Sequence, residues 1–187
     1  MRTPILPHQI ERITEGRYKS LHRHMLGVDL SGRHCEPIHR NVYYVDVRDP
    51  MGRQLVVENT PAKCMYRTGE IFCLYDERIP LTEPRLVHEF VHRAARRQVL
   101  FVWTSGLDTN RSRTLLNEVL TEYLTKCIMG ERYADRADTR NLYRPLMGDI
   151  EALEKRIGRA AIVRAYLKGN YRFFRRQLSA SRIRLPY

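Results

Sequence analysis

The sequence predicts an α+β fold: a small antiparallel sheet near the amino terminus, followed by a mostly helical remainder. Runs of β-branched and aromatic residues separated by turn residues occupy residues 41–75, whereas residues 84–179 carry apolar residues at helical spacing. The chain has 187 residues, of which 43% are hydrophobic and 29% are charged. This size and composition fit one globular domain over residues 1–187, large enough to bury a core.

The first 40 residues form a poorly defined segment. A short helix is predicted over residues 8–17, with apolar residues at positions 10 and 13 and an end at Gly16. The polar stretch that follows holds several candidate metal ligands, but their spacing fits no zinc pattern, and surface histidines are the simpler interpretation: His22, His24, His34, Cys35 and His39.

Two hairpins are expected after residue 40. The first joins residues 42–47 to residues 54–58 through a turn at residues 49–52, which read Asp-Pro-Met-Gly. The second joins residues 63–67 to residues 70–75 through Thr68 and Gly69.

A two-residue turn in the second hairpin would place Cys64 opposite Cys73. Three interpretations remain open for this pair. The thiols form a disulfide in an oxidising compartment, contribute with Cys35 and His39 to a structural metal site, or stay free and buried in a cytosolic protein.

The helix predicted over residues 84–103 contains His88-Glu89-Phe90-Val91-His92. Two histidines four residues apart lie on one helix face, so both imidazoles can reach one zinc ion. Glu89, beside the first histidine, is placed to act as a general base. The alternative is a helix with two histidines that hydrogen bonds satisfy.

A third zinc ligand must be a carboxylate if it lies downstream, because no histidine follows His92. Glu118 and Glu122 lie one turn apart on the polar side of a second predicted helix, which reads L-L-N-E-V-L-T-E-Y-L-T. One can bind the metal while the other holds a histidine ligand through a hydrogen bond. An ordinary solvated helix face would also explain this pair.

These two helices together resemble the gluzincin metallopeptidases, and most closely small bacterial zincin-like domains. The resemblance implies a single Zn²⁺ bound by His88, His92 and Glu118, with Glu122 supporting a ligand and Glu89 as the base. It also implies a protein or peptide substrate. A softer match over residues 158–170, with Tyr143 before it, makes Tyr143 the candidate for stabilising the oxyanion, although a core or surface tyrosine explains it equally well. The chain departs from the thermolysin type in lacking a downstream histidine.

The resemblance also bears on residues 71–75, the strand that precedes the histidine helix. In zincins the corresponding strand lies at the sheet edge and pairs with an extended substrate. An ordinary internal strand is the alternative.

The C-terminal part is predicted to be a helical lobe, with helices over residues 145–156, 159–168 and 171–179. Residues 155–187 form a basic end that contains ten Lys or Arg and no acidic residue, whereas the rest of the chain has 23 basic and 21 acidic residues. This end is either a binding surface for nucleic acid, an anionic membrane or an acidic partner, or a solvated helical face.

A second function therefore stays open beside the zinc peptidase. The chain would be a nucleic-acid or partner-binding module whose metal site is structural, with four protein ligands and no open position. No apolar run is long enough to span a bilayer, and residues 1–15 lack an apolar signal core. We expect a cytoplasmic protein, or one exported without a visible signal peptide.

Overall fold

The computed structural model describes residues 2–14, 41–65, 67–102, 110–130, 133 and 144–180. The fold is α+β as predicted, with a four-stranded sheet in the amino-terminal part and seven helices among the described residues. The chain divides into two compact units, Met1–Ala94 and Ala95–Tyr187. A single functional domain over the whole chain stays a prediction.

The first unit contains the sheet. Its elements in chain order are β1 (Arg2–Pro4), α1 (Pro7–Ile13), β2 (Val42–Val45), α2 (Pro50–Val57), β3 (Ala62–Cys64), β4 (Ile71–Leu74) and the beginning of α3 (Glu83–Val102). The strand order is β1-β2-β4-β3, in which both outer pairs are antiparallel and the central pair, β2 with β4, is parallel. The sheet is therefore mixed, and the prediction of an antiparallel sheet is wrong for its central pair. The helix predicted over residues 8–17 is shorter, because Thr14 already forms its carboxyl cap.

The predicted first hairpin is wrong, because residues 50–57 form helix α2 instead of a turn and a strand. Asp49 is the N-cap, and its carboxylate accepts a hydrogen bond from the Met51 amide at 2.9 Å. Pro50 occupies the first helical position, where its missing N–H costs nothing. Asp-Pro starts a helix as readily as a turn, and the helical crossover lets β2 and β4 run parallel.

Gly52 brings α2 close to the chain that leaves β2. A Cβ atom at this position would lie 1.9 Å from the Asp46 carbonyl oxygen, so no larger residue fits without a backbone shift. The close approach buries Leu55 in a hydrophobic cluster that also contains Val45, Phe72 and Leu74.

The second hairpin is confirmed as the antiparallel pair β3–β4, but its register differs from the prediction. Cys64 pairs with Ile71, and Ala62 pairs with Cys73. The connection is longer than two residues, because the Met65 amide donates to the Glu70 carbonyl at 2.8 Å. Cys64 and Cys73 are therefore not opposed, and both are free thiols; Cys35 and His39 lie outside the described residues.

The same pairing settles the position of β4 in the sheet. It lies between β2 and β3, so the expectation that residues 71–75 form an edge strand is wrong. The edge on that side of the sheet is β3.

The second unit is helical in its described residues. It contains α4 (Asn110–Met129), α5 (Arg144–Ile157), α6 (Arg159–Leu167) and α7 (Tyr171–Ala180), which confirms the three helices predicted after residue 144. Gly158 and Gly169, with φ of 80° and 62°, separate the last three helices. Tyr166 connects α6 to α4, because its hydroxyl lies within hydrogen-bond distance of the Thr121 hydroxyl of α4, at 2.6 Å.

In the part of the chain that the structure describes, no helix has the length and apolar character needed to cross a membrane.

Two glycine substitutions test the packing of α2. Gly52→Ala should lower the free energy of unfolding by about 1–3 kcal/mol or more, because the methyl group meets backbone atoms. Gly148→Ala in α5 is the matched control, since that glycine is exposed, helical and has nothing within 4 Å of an added Cβ. It should raise stability by about 0.5–1 kcal/mol. Urea unfolding measures both, and a Gly52→Ala protein as stable as the wild type would contradict the close approach.

Candidate metal centre

Helix α3 carries three buried ionisable side chains between residues 88 and 92. His88, Glu89 and His92 are 2%, 6% and 4% exposed, respectively. They are buried because most of the surface of this helix faces the core. The buried apolar residues of the helix are Leu86, Val87, Phe90, Val91 and Ala95. Arg93 of the same helix is also buried, with its guanidinium 5.1 Å from the centre of the Phe90 ring.

The helical spacing brings the two histidines together as predicted. Their ring centres are 4.6 Å apart, and the ring planes meet at 80°. This arrangement follows from a separation of four residues, which places one side chain a turn above the other.

Helix α4 carries the two glutamates. Glu118 is partly buried, and Glu122, one turn later, is 9% exposed. The Glu122 carboxylate accepts a hydrogen bond from the hydroxyl of Tyr133. A buried carboxylate is stable only with such donors, so Tyr133 helps to fix the position of Glu122.

His88, His92 and Glu118 form a cluster that can hold a metal ion. One ligand atom from each residue lies within 4.8 Å of the others. Two imidazole nitrogens and one carboxylate oxygen are a donor set that zinc accepts in catalytic sites, where three protein ligands leave one position open. Among the described residues, no further histidine, cysteine, aspartate or glutamate joins this cluster.

Glu89 has a different partner, the backbone of the edge strand. The Cys64 amide donates a hydrogen bond to Oε2 of Glu89 at 2.7 Å. The Cys73 thiol is also nearby: burial raises its pKa, and the negative charge of Glu89 raises that pKa further. Cys73 is therefore a neutral thiol.

The structure thus brings together the three predicted ligands, and Glu89 lies on the same helix as the two histidines. Tyr143, the candidate for oxyanion stabilisation, lies outside the described residues. Sequence reasoning missed the Cys64 amide and Tyr133. A backbone donor leaves no mark in the sequence, and Tyr133 is one of 11 tyrosines with no motif around it.

No family model matches this chain, and no similar protein was found among curated proteins or among solved structures. The likeness to gluzincins therefore depends on the two helix motifs and the cluster that they form.

The cluster predicts that His88 is needed for metal binding. His88→Ala should lose stoichiometric zinc, because two remaining ligands bind it poorly. His8→Ala is the matched control, since His8 is exposed on α1 and outside the cluster. Metal analysis of the purified proteins measures the result, and full zinc retention in His88→Ala would place the metal elsewhere.

A second prediction separates the two glutamates. Glu118→Gln should nearly abolish zinc retention, whereas Glu122→Gln should cost about 10–100-fold in affinity, as expected for a residue that supports a ligand. Glutamine at position 122 can still accept the Tyr133 hydrogen bond, so the second variant removes charge and little else. Competition with a chelator measures both affinities. A larger loss in Glu122→Gln would exchange the two roles.

Proposed function

We propose that the protein is a zinc-dependent peptidase that hydrolyses peptide bonds with Glu89 as the general base. The observation that supports this proposal best is the cluster of His88, His92 and Glu118, with a buried carboxylate one residue from the first ligand. A metal with three protein ligands and an adjacent carboxylate is the arrangement that metal-assisted hydrolysis needs.

In this proposal His88, His92 and Glu118 hold the ion. When bound, zinc supplies a Lewis acid that polarises the scissile carbonyl and lowers the pKa of water to about 7. Glu89 removes the proton from the attacking water and later delivers it to the leaving amine. Glu122, held by Tyr133, supports the ligand set by fixing a histidine in one tautomer.

The hydrogen bond from Cys64 gives Glu89 a fixed orientation. The Cys64 amide holds Oε2 of Glu89 through a hydrogen bond of 2.7 Å. A base that is already oriented loses little freedom when the substrate arrives, which favours the reaction.

The edge strand suggests where an extended substrate would lie. The zincin resemblance implies main-chain pairing with an edge strand, and β3 rather than β4 is the edge that the sheet offers on this side. Since β3 also donates the hydrogen bond to Glu89, a peptide paired with β3 would run past the base. Tyr143 remains our candidate for stabilising the oxyanion.

The alternative function, a binding module with a structural metal site, requires a fourth protein ligand. Three ligands in the described part of the chain favour the open, catalytic kind of site. X-ray absorption spectroscopy of the zinc-loaded protein distinguishes the two, because a fourth protein ligand would support the module.

Screening the zinc-loaded protein against a peptide library, with and without a chelator, tests the proposed activity directly. We expect cleavage that the chelator abolishes and added zinc restores. Cleavage that persists in the chelator would exclude a metallopeptidase.

The role of Glu89 is tested by Glu89→Gln. Glutamine retains an oxygen that accepts the Cys64 hydrogen bond but cannot remove a proton, so the variant should keep its zinc while turnover falls about 10²–10⁴-fold. Single-turnover cleavage and metal content should be measured on the same sample. Unchanged turnover would remove Glu89 from the mechanism.

A further inference from the structure

The last three helices carry a group of exposed cations. Between residues 155 and 180 the sequence has eight Lys or Arg and no Asp or Glu, and every one of the eight is exposed: Lys155, Arg156, Arg159, Arg164, Lys168, Arg172, Arg175 and Arg176. The proposed peptidase site uses none of them.

These charges are mostly not neutralised within the described residues. Arg159 forms an ion pair with Glu154 at 2.7 Å, and Arg156 donates to the neutral Gln177. The other six make no ion pair there. In the first unit, the exposed Arg48 and Arg78 each pair with an aspartate two residues earlier, at 2.7 and 2.6 Å.

Helix α7 shows how these cations are arranged. Arg172, Arg175 and Arg176 are spaced i, i+3 and i+4, so they share one face of the helix. Phe174 and Leu178 occupy the opposite face and are 0% and 4% exposed. The apolar side of α7 is therefore already buried in the protein, and only its charged side is available to a partner.

The burial of the apolar side of α7 distinguishes between two anionic partners, a membrane and a nucleic acid. A helix that binds a membrane inserts its apolar face between the lipids, and α7 has no such face available. A nucleic acid instead presents a regular series of phosphates, and arginine binds phosphate through two parallel hydrogen bonds. Apart from Arg159, which is already paired with Glu154, four of the five cations on α6, α7 and the residue that follows α6 are arginines.

We propose that these five residues, Arg164, Lys168, Arg172, Arg175 and Arg176, form an arginine surface that binds the phosphate backbone of a nucleic acid. Contacts to phosphate carry no base information, so binding is independent of sequence. It is also strongly salt-dependent, because each phosphate that is neutralised releases counterions.

The experiment measures binding of the full chain to short fluorescein-labelled duplex DNA, single-stranded DNA and RNA by fluorescence anisotropy. If all five cations contact phosphates, affinity for the duplex should fall roughly 10²–10³-fold between 50 and 200 mM salt. The variant R172Q/R175Q/R176Q should bind much more weakly, and its slope of log affinity against log salt should be smaller by about 2–3.

The matched control is R12Q/R53Q/R67Q, which removes three exposed arginines of the first unit. Both variants lower the formal net charge from +12 to +9, so net charge alone cannot separate them. The control should keep the wild-type affinity and slope, and circular dichroism should show that both variants are folded.

Three outcomes would overturn the proposal. They are no binding to any oligonucleotide at 50 mM salt, an equal loss of binding in both variants, and binding only to phosphatidylcholine vesicles that contain phosphatidylserine. Zinc content and chelator-sensitive cleavage should be unaffected in the R172Q/R175Q/R176Q variant, so this test can fail while the proposed peptidase stands.

Discussion

Helix α3 buries three ionisable side chains within five residues, and each of them must have a partner. A buried carboxylate or imidazole without one would cost several kcal/mol, of the order of the whole stability of a domain. Glu89 accepts a hydrogen bond from the Cys64 amide of the edge strand β3. The two histidines lie in the cluster with Glu118. The position of α3 against the sheet is therefore tied to the chemistry of the site.

The sheet topology makes the hydrogen bond to Glu89 possible. Because β2 and β4 run parallel, a crossover must connect them, and α2 with β3 forms it. This crossover delivers β3 to the outer side of β4, where the Cys64 amide points away from the sheet. Gly52 is part of the same arrangement, since α2 approaches the end of β2 too closely for any side chain. The close packing of α2 thus helps to position the strand that holds Glu89.

The sequence predicted best where one local pattern decides the structure. Apolar periodicity identified the helices around His88 and Glu118 and the three after residue 144, and the spacing of His88 and His92 placed both rings on one face. The prediction from sequence was wrong where the same residues fit two local structures. Asp49 and Pro50 are an example, since they start a helix rather than a turn. The predicted register of β3 against β4 was wrong, because the loop between these strands is longer than the two-residue turn that Thr68 and Gly69 suggested. The contacts of Glu89 with Cys64 and of Glu122 with Tyr133 join positions 25 and 11 residues apart, and no local pattern encodes them.

Charge separates the two proposed activities along the chain. Residues 1–154 contain 23 basic and 21 acidic residues, which nearly balance, and they include the three acidic residues of the candidate site, Glu89, Glu118 and Glu122. The excess of positive charge lies after residue 154, on helices that supply none of the clustered ligands. At physiological salt the Debye length is about 8 Å, so exposed charges act mainly on what binds directly beside them. In our proposals the arginine surface therefore recruits a polyanion, while the chemistry of the metal site depends on its own buried partners.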